Sequence, residues 1–120
     1  MSALILERRQ VVLLPFPFSD LSAHKLRPAL VMADAGRGDW VMCQITSQSY
    51  TDTHAVALAD SDFAQGGLRL ASYARPTKLF TANSSLVRSV AGQLNRAAHE
   101  RVCEALIALI RPGDANLAAL

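Results

Sequence analysis

Arg27 stands where a polar segment, residues 19–25, meets an apolar run, residues 29–33. A guanidinium in that place can be held by a rigid element while it faces solvent. It is planar, permanently charged and matched to phosphate oxygens. The same side chain also suits a plainer role, a surface ion pair with Asp20 or another carboxylate. Thr46 closes a third apolar run, residues 40–46; its hydroxyl can donate to an anion, but threonine is by default a good strand former. His24, three residues before Arg27, has the titration range of a general base, and equally the makeup of a solvated loop histidine. Arg75 and Lys78 form a second basic pair. Ser47 and Gln48 can hydrogen-bond base edges, Lys25 can meet a phosphate, and Phe16 and Phe18 can stack on unpaired bases, one of the two rings being expected in the core instead.

Composition limits the alternatives. At 120 residues, 51% of them hydrophobic, the chain is expected to form a single domain over 1–120, with 113–120 as a frayed tail. A formal charge of +2 falls short of an architectural nucleic-acid binder, so any site for RNA must be local. Cys43 and Cys103 are far apart among apolar neighbours and are expected as buried free thiols, which fits a reducing cytoplasm. No stretch approaches the ~20 apolar residues of a membrane span. His24, His54 and His99 are scattered and the cysteines lack paired ligand spacing, which argues against a metal site; no cofactor is implied. A serine hydrolase is disfavoured because no GxSxG occurs.

Elements must position these groups. Residues 11–14 read as a strand stopped by Pro15 and Pro17, and 19–25 as a loop. Residues 29–33 and 40–46 read as a hairpin around the glycine-bearing turn 35–39, and 54–58 as a weaker strand. The pattern dissolves at 60–63 and turns at Gly66-Gly67. Residues 72–81 read as a strand bulged at Pro76, 82–85 as the cap of a short helical turn, and 90–94 as a last strand. Asn95 caps a helix to about Ile110 whose stripe Val102, Ala105, Leu106, Leu109 and Ile110 is expected to be buried. Many short strands and one terminal helix predict a mainly β fold, a small antiparallel barrel with helical decoration.

Four blocks carry a resemblance: residues 14–21 (LPFPFSDL), 25–31 (KLRPALV), 44–48 (QITSQ) and 72–81 (SYARPTKLFT). In order and spacing the chain resembles the MazF/PemK family, endoribonuclease toxins of bacterial toxin–antitoxin pairs. The resemblance implies an SH3-like barrel of the CcdB/MazF type followed by a C-terminal helix. It implies Arg27 and Thr46 as the catalytic pair, and His24 as a candidate base, since some relatives carry a histidine in that loop. Phe18, Lys25, Ser47, Gln48, Arg75 and Lys78 become candidates for RNA contact. It further implies a single-stranded RNA substrate, a homodimer, a cognate antitoxin with which such toxins bind DNA, and metal-independent cleavage that leaves a 2′,3′-cyclic phosphate and a 5′-OH. The alternatives are a non-enzymatic CcdB-like inhibitor of a protein such as gyrase, and a catalytically silent relative. Two departures stand out. The family usually enters its first strand through Gly-Asp, where this chain has Arg9-Gln10; and where some relatives follow the arginine with an aspartate, this chain has Thr77-Lys78.

Overall fold

In the computed structural model the described residues are 4–16, 25–48 and 51–111. Seven strands form one sheet: β1 (Gln10–Pro15), β2 (Leu26–Gly36), β3 (Asp39–Thr46), β4 (Val56–Leu58), β5 (Phe63–Gly66), β6 (Ser72–Asn83) and β7 (Ser89–Leu94). Their order is β4-β6-β3-β2-β1-β7-β5, and every paired neighbour runs antiparallel. Short 3-10 turns lie at Asp60–Asp62 and Ser84–Leu86, and α1 (Arg96–Ile110) ends the described chain. Residues 17–24, which hold Phe18 and His24, and the expected tail 113–120 lie outside the described residues.

The sheet is apolar on both faces, which is why β1 and β2 read as unbroken hydrophobic runs rather than alternating ones. On one face Val11, Leu30, Cys43, Ile45 and Leu94 meet Ala98 and Val102 of α1. On the other, Val12, Leu14, Ala29, Val31 and Met42 pack with Leu6, Phe16 and Val87. Phe16 is only 4% exposed and tilts against Phe80 at a ring-centroid distance of 5.0 Å. Phe16 is therefore a core residue.

Bulges curl the sheet into a half-barrel. The largest is on β6: Cys43 of β3 pairs with Leu79 but the next residue, Gln44, pairs with Arg75, leaving Pro76, Thr77 and Lys78 out of the ladder. Pro76 lacks an N–H to give, so the break falls where the sequence places it. Pro28 stands inside β2, yet the ladder to β3 begins only at Ala29, so its missing donor leaves no gap there.

Two expectations need correction. Of the expected buried stripe of α1 only Val102 is fully buried; Ala105, Leu106 and Leu109 are half-buried and Ile110 is 71% exposed, while Ala98, His99 and Val102 carry the contact. The apolar period continues, but among the strands the helix packs mainly on β6 and β4. Residues 60–62, where the pattern dissolved, form a 3-10 turn, and Phe63–Gly66, running into the expected glycine turn, is a strand, β5, paired to β7. Four residues ending in glycine carry too little alternation to show it.

Candidate nucleic-acid cleft

Ala29 pairs with Gln44, and carrying that register two residues on brings Arg27 level with Thr46. Arg27 is the second residue of β2 and Thr46 the last of β3. Both border a cleft of about 690 Å³ that also takes in Lys25, Ser47 and the segment Gly67 to Leu70. The register of a rigid hairpin therefore sets the spacing of the two candidate residues, and no loop conformation is needed to bring them together. The Thr46 hydroxyl oxygen accepts the Gln48 N–H at 3.1 Å. That bond uses acceptor capacity only, and the hydroxyl proton stays available to a ligand oxygen.

Among the described residues three cations, Lys25, Arg27 and Arg69, border the cleft, and none of the described lining residues is acidic. Its floor is apolar, from Leu13, Ile45 and Ala91. Such a surface fits an anionic chain with flat apolar groups. The segment Leu68-Arg69-Leu70 was missed in the sequence. Its signal was a Leu-Arg-Leu triplet after a glycine pair, with Leu70 left 67% exposed in the fold.

The other candidates fall elsewhere. Gln48 is exposed and joins the site only through its backbone. Lys78 is exposed in the β6 bulge. Arg75 does not line the cleft; its Nε donates to Asp52 Oδ2 at 2.7 Å, and the Thr77 hydroxyl donates to the same oxygen at 3.1 Å. The Asp52 side chain is 6% exposed, and Arg75 holds its carboxyl below the usual carboxylate range. A carboxylate thus accompanies the basic pair after all. It comes from 23 residues earlier in the chain, so no local spacing could show it. On β6, Arg75 lies two residues from Tyr73, the ladder partner of Thr46, which is about 7 Å along the strand.

A curled antiparallel sheet with one terminal helix thus carries a basic cleft at the open end of its central hairpin. The sequence profile of PemK-like, MazF-like toxins of type II toxin–antitoxin systems matches residues 7–110, and the chain belongs to that family. Solved structures share the fold. A mycobacterial endoribonuclease in complex with its cognate antitoxin superposes with a TM-score of 0.71 at 21% identity, over 91% of this chain and 99% of that one. A second mycobacterial endoribonuclease gives 0.66 at 24%, over 94% and 97%. MazF from a MazE–MazF complex of Deinococcus radiodurans gives 0.69 at 16%, over 92% and 99%. No curated protein sequence matches the chain. No helix among the described residues is long and apolar enough to cross a membrane.

Proposed function

We propose that the chain is a metal-independent endoribonuclease that cuts single-stranded RNA in this cleft and is restrained by a cognate antitoxin. The observation that carries the reading is the lining of the cleft among the described residues: Lys25, Arg27 and Arg69 with the hydroxyls of Thr46 and Ser47. A phosphodiester needs cations and hydroxyl donors and is repelled by acids. The family membership and the endoribonucleases that share the fold support the same reading.

In this mechanism the ribose 2′-oxygen attacks the adjacent phosphorus while its proton passes to a base. The bond from phosphorus to the 5′-oxygen breaks with its electron pair, and that oxygen takes up a proton. The products are a 2′,3′-cyclic phosphate and a 5′-OH. The nucleophile belongs to the substrate, so positioning supplies what a metal-bound water would otherwise provide. Arg27 offsets the charge gathering on the phosphoryl oxygens and the Thr46 hydroxyl donates to one of them. Lys25 and Arg69 hold flanking phosphates. Arginine, with a pKa above ~12, is a poor base, and His24 is the candidate on the titration range of its ring.

The reading extends to a symmetric homodimer, in support of which Leu26, Leu79, Leu86 and Val90 leave more than a third of their surface in solvent. An acidic, partly disordered antitoxin segment that covers the basic cleft would compete with RNA there.

Incubation of the protein with mixed RNA, followed by end-group analysis beside an EDTA control, tests the chemistry. Cyclic-phosphate and 5′-OH ends that persist in EDTA are expected. Arg27→Ala and Thr46→Ala are each expected to lower cleavage by about 100-fold or more, as for loss of one transition-state donor, with the circular dichroism spectrum unchanged. Ends bearing 5′-phosphate, or full activity of Arg27→Ala, would sink the proposal.

A further inference from the structure

A second recess lies at the opposite end of β1 and β2 from the cleft. Its volume is about 350 Å³, and it is walled by Arg8 and Arg9 before β1, Met32 of β2, and Arg96, His99, Glu100 and Cys103 of α1. Leu13 and Pro28 border the cleft whereas Arg9 and Met32 border this recess. Four residue steps along the chain separate the two linings on each strand, roughly 13 Å.

Three guanidinium groups face one carboxylate here. Among the described residues none of the three arginine side chains forms an ion pair or a hydrogen bond. Arg9 also takes a backbone conformation that arginine disfavours, with φ at +78°. The turn is well tied: the Arg9 N–H donates to the Val31 carbonyl at 3.1 Å, and its own carbonyl accepts the Leu94 N–H at 2.8 Å. Glu7 N–H donates to the Gln10 side-chain oxygen at 2.8 Å. Glycine would make the same turn without strain. The chain thus carries a cation at a glycine-type position, next to an uncharged Gln10, in the place where the family usually has Gly-Asp.

An independent observation points the same way. His99 is 8% exposed, and its Nδ1 is buried without a hydrogen-bond partner among the described residues. Burial first, then Arg9 and Arg8, hold its imidazole below the usual range, with Glu100 opposing. An anion between the guanidinium groups would reverse the arginine contribution.

We propose that this recess binds a phosphate monoester of mononucleotide size. The phosphate would sit among Arg8, Arg9 and Arg96, since guanidinium forks match its oxygens. The volume lies at the low end for small-molecule sites, several times that of a bare phosphate, and Met32 and Cys103 offer a polarisable wall for a flat group. The inference does not rest on the nuclease reading.

Isothermal titration of the full chain with adenosine 5′-monophosphate, inorganic phosphate and adenosine tests it. The nucleotide is expected to bind one per chain, phosphate at least tenfold more weakly, and adenosine not measurably. Arg9→Gly, which suits the local φ and so keeps the fold, is expected to weaken nucleotide binding at least tenfold, whereas Arg27→Ala in the cleft leaves it intact. The His99 ring, followed by NMR, should titrate at higher pH with the nucleotide present. Equal binding of phosphate and nucleotide overturns the assigned size, and equal binding of adenosine overturns the phosphate contact. Binding that survives Arg9→Gly but is lost in Arg27→Ala places the ligand in the cleft and overturns the site.

Discussion

Gly92→Ala is expected to destabilise the protein by about 3 kcal/mol and to impair the cleft. Gly92 is buried in β7, with Val11 of β1 on one side and Gly66 of β5 on the other. A Cβ there would meet the Gln65 carbonyl oxygen at 2.5 Å and the Gly67 nitrogen at 2.9 Å. Ordinary contact begins at 3.4 Å, so β5 must retreat by about 0.9 Å, the difference between 3.4 and 2.5 Å. The obstructing atoms are backbone, and no rotamer change relieves them. β5 can move only by stretching its ladder to β7 and the bond from Gly67 N–H to the Ala91 carbonyl, now 3.2 Å. Overpacking costs ~1–3 kcal/mol and each lost hydrogen bond ~1 kcal/mol. The stiffer unfolded chain returns ~0.4–1 kcal/mol. With two bonds lost the balance is about 3 kcal/mol. At a slope of ~1.5 kcal/mol/M, the urea midpoint falls by about 2 M. Gly67 to Leu70 form a wall of the cleft directly after β5, so the same shift should lower kcat/KM on RNA by up to ~100-fold. Gly67→Ala is the control, since nothing lies within 4 Å of a Cβ there. A midpoint change in Gly92→Ala below ~0.3 M, or one no larger than that of Gly67→Ala, would refute the reasoning.

Two further predictions concern buried groups. Asp52→Asn leaves Arg75 without its carboxylate and should cost about 2 kcal/mol at pH 7 in urea unfolding. Because the folded-state pKa of Asp52 is lowered, its contribution is complete above the ordinary carboxylate range and is lost as the pH falls through the folded value, so wild type and variant should converge once the pH is below that lowered value. Asp62 has the same sign, and His99, also lowered, should begin the acid loss below about pH 6.5. Convergence on raising the pH instead would contradict this. The Cys43 thiol is pushed up to about 12 by burial, so a thiol alkylator at pH 8 should leave it untouched in the native protein; Cys103, also raised by burial, should react slowly, and both should react in urea. Rapid native labelling of Cys43, read by mass spectrometry, would show the core to be open.

The hairpin of β2 and β3, the β6 break at Pro76 and the Asn95 cap were legible because each rests on a local rule. The turn needs glycine, proline has no donor, and the Asn95 side chain accepts the Ala98 N–H at 2.9 Å. The same locality explains the misses. Asp52 reaches Arg75 across 23 residues, and β5 exists because β7 offers an edge to it. The exposure of Ile110 depends on which elements α1 packs against, which helical periodicity does not encode.

The amino-acid sequence by itself determined the runs that become strands and the helix start, and the family resemblance singled out Arg27 and Thr46 as a pair. The runs and the helix start follow from backbone preference and side-chain chemistry, which act within a few residues. Only the tertiary structure decided that the register of β2 and β3, carried past their last ladder pair, brings those two groups level, and that Arg69 joins them at the same cleft. It alone gathers Arg8, Arg9 and Arg96 around a second recess. Charges add through space rather than along the chain, and their sum is defined only once distant strands have settled into one register.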